Sequence, residues 1–320
     1  MSETLVYVSD SDPGITRRRR GRGFSYLAPD GTSIARGAER KRIEALAVPP
    51  AYNDVWICTK HNGHLQATGR DARKRKQYRY HPSWSAAQAE TKFEQLASFG
   101  AALPSIRRRV DRDLGADPGD VQFALAAAVF MIDRTALRVG HPDYSKENGS
   151  YGALTLKRRH LVLKDDQIRL SFTAKGGKKV RKCVTDRKLQ RLLQKIHDVP
   201  GATLLSWIDD SGATHSVSSN QLNEYLSDAA GGDGFTAKTF RTWAGTLAAF
   251  NCAEDGDVTI KAMAEAAAKR LHNTPTVARN SYIHPAVIAL SEGEVFDLPP
   301  VKRSGLFVAE QSLLALLQSA

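Results

Sequence analysis

Cysteine is scarce in this chain of 320 residues, and the three cysteines lie far apart in the sequence. Cys58, Cys183 and Cys252 form no CxxC pair, so they indicate neither a zinc site nor a disulfide framework. This usage is typical of a protein in a reducing cytoplasm. The sequence has no HExxH motif, and Asp10 and Asp12 form only an isolated carboxylate pair. We therefore predict that the chain holds no metal ion.

Long hydrophobic runs and nucleotide-binding signatures are also missing. No stretch approaches the roughly 20 apolar residues that a membrane-spanning helix needs. The first residues include acidic side chains and lack the basic-then-apolar order of a secretory signal. The sequence also lacks GxxxxGK(S/T), the glycine-rich loop that holds the phosphates of ATP. We expect a cytoplasmic protein that uses no cofactor.

Positive charge is what the sequence has in excess. Lysine and arginine number 46 against 34 aspartates and glutamates, which gives a formal net charge of +12 and favours a polyanionic partner. A single basic run is most often a solvated face, and that is our interpretation of the first run. Several runs separated by folded segments favour nucleic acid over a membrane surface, because no basic amphipathic helix accompanies them. The runs lie at residues 17–22, 70–79, 107–109, 157–159 and 175–182.

Residues 1–87 are predicted to form a small β-rich domain. Alternating residues indicate strands at 24–27, 54–59 and 64–68, and residues 39–45 fit a short helix. Asn62-Gly63, between the last two strands, is a hairpin signal. We expect the first fifteen or so residues to be loose.

The segment at residues 69–84 combines positive charge with interleaved aromatic rings. That mixture suits a groove that follows a phosphate backbone, because cations neutralise phosphates and ring hydroxyls form hydrogen bonds. A basic loop with structural tyrosines explains the segment equally well. If it binds DNA, the residues expected to make contact are Arg70, Arg73, Lys74, Lys76, Gln77, Tyr78 and Tyr80.

Residues 88–320 are predicted to form a mainly helical second domain, so the predicted fold class is α+β. Strand-like alternation occurs at residues 153–156, 160–163, 168–172 and 179–184. We expect Arg138 in the last turn of the third helix, and Lys175 at a hairpin tip beside two glycines. Helical periodicity covers residues 86–96, 103–114, 120–139, 186–196, 220–229, 237–250, 260–271 and 309–319.

One tyrosine falls near the end of a short predicted helix. Pro275 disfavours the α region for Thr274, so the preceding helix ends and Thr274 can cap a new one. Tyr282 lies near the end of the new helix, close to Arg279 and just before Pro285. On this stretch alone, a core tyrosine with surface arginines is the simpler interpretation. The alternative is a nucleophile aimed at a phosphodiester.

Taken together, distant residues resemble the catalytic set of type IB DNA topoisomerases. They are Arg138 in Ala-Leu-Arg-Val-Gly, Lys175 at its hairpin, Arg241 in Lys-Thr-Phe-Arg-Thr, and Tyr282. Residues 69–82 resemble the DNA-contacting segment of the same family's N-terminal domain. The motifs occur in the family's order over most of the chain, which is most similar to the short, poxvirus-like bacterial branch.

The resemblance implies a two-domain clamp around duplex DNA of the nucleoid, and a catalytic domain with the DNA breaking–rejoining fold of tyrosine recombinases. It implies relaxation of supercoiled DNA by single-strand cleavage, a 3′-phosphotyrosyl intermediate, strand rotation and religation, without ATP or an essential metal. Tyr282 would be the nucleophile, and Arg138 and Arg241 would clamp the nonbridging oxygens. Lys175 would protonate the 5′ leaving oxygen.

One position departs from the best-known family pattern. Asn273 stands where many members carry histidine, and its amide can still donate a hydrogen bond to a phosphoryl oxygen. The neighbouring His272 competes for this role.

Two other functions remain open from the sequence, a tyrosine recombinase and a non-catalytic DNA-coating protein. Recombinases usually carry histidine where this chain has Lys238, which we expect to contact DNA, and they lack the segment at residues 70–82. A coating protein would explain the charge but not the ordered catalytic set. We expect a monomer, because no heptad repeat or apolar patch for self-association appears.

Overall fold

The computed structural model describes residues 4–72, 74–164, 167–232, 234–254, 256, 258–293 and 302–319. The chain divides into two compact units, Met1–Thr91 and Lys92–Ala320. The boundary predicted between residues 87 and 88 falls inside a continuous helix, Pro82–Asp113, and stays a prediction.

A five-stranded antiparallel sheet forms the first unit, with strand order β2-β1-β3-β4-β5. Its core consists of apolar side chains such as Ile15, Val55 and Ile57 from the sheet and Ile43 from a helix. Because strand residues alternate between two faces, these side chains meet on one side of the sheet. The elements are β1 (Ile15–Arg20), β2 (Gly23–Leu27), α1 (Ala38–Ala45), β3 (Asn53–Ile57), β4 (Leu65–Arg70) and β5 (Lys76–Tyr80).

One sequence interpretation in this unit is confirmed and another is wrong. The basic run at residues 17–22 is largely a solvated face, because all of its residues except Arg17 are exposed. The guanidinium of Arg17 donates to the carbonyl oxygens of Val48, Pro49 and Tyr52 at 2.7–2.9 Å. The chain before β1 is not loose throughout, since the amide of His64 donates to the Val6 carbonyl at 2.9 Å.

The second unit is mainly helical and contains a small antiparallel sheet of order β6-β7-β8. Its third helix in the chain is buried over most of its length, because its residues are almost all apolar. The predicted α+β class, with a β-rich first part and a mainly helical second part, is confirmed. The elements are α2 (Pro82–Asp113), α3 (Val121–Thr135), α4 (Pro142–Asn148), β6 (Leu161–Lys164), β7 (Gln167–Ala174), β8 (Lys178–Val184), α5 (Arg187–His197), β9 (Ser206–Ile208), β10 (Thr214–Ser216), α6 (Ser219–Ala230), α7 (Ala237–Glu254), α8 (Ile260–Leu271), α9 (Pro275–Tyr282), α10 (Pro285–Ala289) and α11 (Val308–Ser319).

The helices predicted at residues 86–96 and 103–114 are one helix, α2, which continues through Pro104. A proline inside a helix costs about 3 kcal/mol or more. The buried stripe of Leu96, Phe99, Leu103 and further residues continues on both sides of it, so tertiary packing offsets that cost.

The strand predicted at residues 153–156 is a 3-10 turn, Ala153–Thr155. The Thr155 hydroxyl accepts a hydrogen bond from the Gly152 amide at 2.9 Å and so holds the backbone in a turn. The short apolar run at residues 153–156 was therefore wrongly interpreted as the two-residue alternation of a strand.

Candidate active site

Tyr282 is the last residue of α9, as the sequence predicted. Helix α8 ends at Leu271, and the hydroxyl of Thr274 accepts from the Val277 amide at 3.3 Å to cap α9. Helix α7 holds the end of α9 closely. A Cβ added at Gly245 would lie 2.7 Å from the Tyr282 carbonyl oxygen, and only glycine permits that approach.

Arg241 lies on α7 beside the tyrosine and is only 4 % exposed. Its guanidinium carbon is 5.3 Å from the centre of the Tyr282 ring. The guanidinium donates to the Ala136 carbonyl and, at 3.1 Å, to the Leu271 carbonyl, while its Nε has no partner among the described residues. Burial, followed by the charge of Arg138, lowers the pKa of Arg241 to about 10. The group is therefore still a cation at neutral pH.

Arg138 is not in the last turn of a helix, as the sequence indicated. Helix α3 ends at Thr135, because Ala136 takes a left-handed conformation with φ 54°. The following segment has no regular secondary structure, and the Ala153 amide donates to the Arg138 carbonyl at 2.7 Å. This pairing with the chain around Gly152 replaces helical hydrogen bonds and carries the side chain of Arg138 to the end of α8.

Arg138 donates from Nη2 to the side-chain oxygen of Asn273. A guanidinium has no acceptor, so this contact fixes the orientation of the amide and leaves Nδ2 as the free donor. Asn273 is 9 % exposed, and its Nδ2 has no partner among the described residues. Together with Nε of Arg241, two buried donors thus await an acceptor, which is costly unless a ligand supplies one.

His272 lies beside Asn273 in a left-handed conformation at the end of α8, with φ 52°. Burial, followed by the charges of Lys182, Lys178, Arg241 and Arg138, lowers the pKa of His272 to about 4. Its ring is therefore neutral at neutral pH. The structure brings both candidate residues into one group of cations, and only Asn273 bonds to Arg138.

Three lysines that the sequence did not single out hold main-chain carbonyls on either side of this group. Carbonyls at a helix end lack a main-chain partner, and lysine is a favourable cap for them. The bonds join Lys92 Nζ to Ser281 O (2.9 Å), Lys178 Nζ to Asn273 O (3.0 Å) and Lys182 Nζ to Arg270 O (3.2 Å). The basic run at 175–182 contained a signal for the last two, whereas Lys92 lies in an ordinary helical pattern.

Two of these lysines carry lowered pKa values. Burial, followed by the charges of Arg270 and Arg241, lowers the pKa of Lys182 to about 7. Burial, followed by the charge of Lys238, lowers the pKa of Lys92 to about 8. Positive charge is thus crowded around this site.

Lys175 is exposed in the turn Lys175–Gly177 between β7 and β8, as predicted for a hairpin tip. Gly176 and Gly177 both have positive φ, 81° and 78°. Within the described part of the chain, Lys175 makes no hydrogen bond or ion pair with Arg138, Arg241, Asn273 or Tyr282.

The basic segment of the first unit forms a hairpin, and β5 within it was not predicted. Asp71 organises the turn, since it accepts from the side chains of Arg75 and Gln77 at 2.8 and 3.1 Å. Arg70 donates to the carbonyl of Lys74 at 3.1 Å. Arg73 lies outside the described residues.

On the outer strand β5, Tyr78 and Tyr80 are about half exposed and stacked, with ring centres 6.1 Å apart. The ammonium of Lys76 lies 5.6 Å from the Tyr78 ring and pairs with Asp10. In the second unit, Lys238 is exposed one helical turn before Arg241.

Neither a metal-binding cluster nor a membrane-crossing helix occurs in the parts of the chain that the structure describes. No three His, Cys, Asp or Glu side chains there are grouped so that they could hold a metal ion. No helix there is long and apolar enough to cross a membrane.

Comparison with known proteins relates both units to one family. Residues 75–279 match the family described as eukaryotic DNA topoisomerase I, catalytic core. Residues 23–71 match the family described as bacterial DNA topoisomerase IB, N-terminal domain.

Individual relatives carry the same names. DNA topoisomerase 1B of Acanthamoeba polyphaga mimivirus is 27% identical over 238 residues, which is 73% of this chain and 70% of that protein. DNA topoisomerase 1 of Mycosarcoma maydis is 24% identical over 201 residues, 57% of this chain but only 19% of its own length.

Among solved structures, the post-cleavage complex of the XerH site-specific recombinase with its palindromic difH substrate is similar, with a TM-score of 0.41 and 17% identity. It matches 60% of this chain, which spans about half of the recombinase chain (49%). The first family match alone covers more than half of the chain. The chain therefore belongs to the type IB DNA topoisomerases, enzymes that act on duplex DNA.

Proposed function

We propose that this enzyme relaxes supercoiled DNA by cutting one strand through Tyr282, letting the free end rotate and rejoining it, without ATP or an essential metal. One observation carries the proposal. Tyr282 lies next to Arg241, a buried cation that has no carboxylate partner among the described residues, and Nε of Arg241 and Nδ2 of Asn273 are left without an acceptor there. A phosphodiester supplies the missing negative charge and the missing acceptors.

The charge stabilises the transition state. In-line attack on phosphorus concentrates negative charge on the nonbridging oxygens. Arg138 and Arg241 would neutralise it in the forked geometry of the guanidinium, and Nδ2 of Asn273 would donate to one of the oxygens. Because these groups are held by the carbonyls and by each other before DNA binds, little reorganisation is needed.

The covalent step exchanges one phosphate ester for another. The Tyr282 oxygen forms a bond to phosphorus, the bond to the 5′ oxygen breaks, and the 3′ end of the cut strand stays on the enzyme. A tyrosine hydroxyl is a weak nucleophile until nearby cations favour loss of its proton, and the arginines are placed for that. Lys175 would give a proton to the 5′ oxygen. The ester bond is conserved, so religation needs no ATP.

The first unit would hold the duplex. Lys74, Lys76, Tyr78 and Tyr80 offer charge and ring hydroxyls on an exposed hairpin, which suits contact with a phosphate backbone. The match of this unit to a bacterial N-terminal domain supports a bacterial enzyme. We propose that it acts as a monomer on the nucleoid in the cytoplasm.

A supercoiled plasmid incubated with the protein in EDTA, without ATP, tests the proposal. We expect a ladder of relaxed topoisomers that converges on the relaxed circle. Joined or resolved plasmids would indicate a recombinase instead. Retarded plasmid with unchanged supercoiling would indicate a DNA-coating protein.

A further inference from the structure

The hairpin that carries Lys175 has a continuously paired stem and an exposed tip. Strands β7 and β8 pair without interruption from Ile168–Val184 to Ala174–Lys178. The tip between them contains the glycines with positive φ, and Lys175 itself is exposed. The place of Lys175 therefore depends on where the stem is held.

The stem is held on one face of β8. Because side chains alternate along a strand, Lys178, Val180 and Lys182 share one face. Val180 is buried in the core, at 2 % exposure. On either side of Val180, Lys178 donates to the carbonyl of Asn273 and Lys182 donates to the carbonyl of Arg270.

These two carbonyls belong to the segment that connects α8 with α9. Arg270 is in the last turn of α8, and Asn273 lies in the connection that leads to Tyr282. Strand β8 is an edge of its sheet, so it has no further strand to fix it on this side. The ammonium–carbonyl bonds from its face instead tie the hairpin to the segment that carries Tyr282.

We propose that Lys178 and Lys182 are positioning residues that set the hairpin so that Lys175 can reach the 5′ leaving oxygen. The inference rests on the proposed role of Lys175 as proton donor. Lys178 follows the tip directly, whereas Lys182 lies lower on the stem. We therefore expect the larger effect from Lys178.

The surroundings of Lys182 agree with a docked stem. Burial and two arginines lower its pKa to about 7, so its head group lies among packed cations and not in solvent. Both the charged and the neutral amine can donate to the Arg270 carbonyl, which keeps the bond across this pH range.

The test is single-turnover cleavage of saturating DNA that carries either oxygen or sulfur at the 5′ bridging position. Sulfur leaves without a proton. Lys178→Met and Lys182→Met keep most of the side chain and lose the ammonium. Lys179→Met is the matched control, because it removes the same charge from an exposed residue on the other face. Lys175→Ala tests the proposed acid itself.

We expect Lys178→Met to cleave the oxygen substrate about 10- to 100-fold more slowly, the order expected for a displaced catalytic group, and Lys182→Met to be less impaired. Sulfur should restore both, as it restores Lys175→Ala, while Lys179→Met stays near wild type. Lys178→Arg should recover part of the rate, because it can still donate to the Asn273 carbonyl.

Three results would overturn the inference. Equal defects on oxygen and sulfur would mean that the lysines act on the phosphate or on the fold. A wild-type rate for Lys178→Met on oxygen would mean that the hairpin needs no such tie. If sulfur fails to restore Lys175→Ala, the proposed acid is wrong, and the inference falls with it. Should Lys182→Met not fold, the exposed Lys178 still decides.

Discussion

Two arginines of the second unit, the partly buried Arg107 and the buried Arg241, show opposite ways to hold a cation. Arg107 on α2 is paired with Asp133 at 2.9 Å and with Glu310 at 2.7 Å. Arg241 on α7 donates to two main-chain carbonyls, interacts with Tyr282 and lies near a second arginine, Arg138. Burial alone lowers the pKa of either group, yet hydrogen bonds to Glu310 and Asp133 raise the pKa of Arg107, whereas the pKa of Arg241 falls to about 10.

We propose that this difference separates a structural arginine, Arg107, from a catalytic one, Arg241. The charge of Arg107 is neutralised within the protein, and the pair joins α2, α3 and α11. The charge of Arg241 is not neutralised by any described carboxylate. A buried cation left in that state costs folding free energy, and it is useful only if an anion arrives. We therefore propose that the arginines without a carboxylate partner among the described residues form the phosphate site.

Replacing Arg241 should give the largest loss of activity. Arg241→Met removes the cation beside Tyr282, and cleavage should slow by about 10³–10⁵-fold, the scale on which an arginine acts on phosphoryl charge. Thermal unfolding should change little, because the lost carbonyl bonds are offset by relief of an unpaired buried charge. Single-turnover cleavage and melting of the same sample measure both.

Replacing Arg107 should give the reverse pattern. Arg107→Met leaves Asp133 and Glu310 buried without a counter-ion, which should cost about 3–5 kcal/mol of unfolding free energy. Denaturant unfolding measures the loss, and the folded fraction should still cleave DNA. If Arg241→Met lowers the free energy of unfolding as much as Arg107→Met does, the distinction between a structural and a catalytic arginine is wrong.

Asn273 should contribute less than Arg241, because it supplies one neutral donor. Asn273→Ala should slow cleavage by about 10²–10³-fold, the usual loss for one such donor. Asn273→His should keep much of the activity, since imidazole can donate from a similar position. If His272→Ala cleaves DNA much more slowly than wild type while Asn273→Ala cleaves at nearly the wild-type rate, His272 is the catalytic residue.

The smallest expected effect is a loss of folding stability at acidic pH, because the cations around His272 disfavour its protonation. The pKa of His272 in the folded chain is about 4, below the ordinary histidine value of 6.5, so between these pH values the unfolded chain binds a proton that the folded chain does not. Stability should therefore fall as the pH drops from about 6.5 to 4. His272→Asn should flatten this part of a melting-temperature profile. An unchanged slope would place the ring away from the cations.

Local signals predicted the segment around Tyr282 well. Pro275 and Thr274 fix the end of one helix and the start of the next, and α8 spans the residues that its periodicity indicated. The end of α3 was missed because Ala136, which takes the left-handed conformation there, is not a residue that usually does so.

The contacts that complete the site could not be read from the sequence. Lys92 and Ser281 are 189 residues apart, and Lys178 and Asn273 are 95 apart. Only tertiary packing brings them together, and a lysine pattern alone does not distinguish a carbonyl partner from solvent. The basic run at 175–182 correctly drew attention to the hairpin, but not to its docking.

The central claim is that a phosphodiester is cut at Tyr282 beside the unneutralised arginines. Its most direct test is denaturation of the enzyme during reaction on a duplex labelled separately at each end of the cut strand, followed by peptide mapping of the adduct. We expect protein linked to the 3′ phosphate through Tyr282, and no adduct with Tyr282→Phe, which should still bind DNA. A 5′ linkage, or an adduct through another residue, would contradict the account.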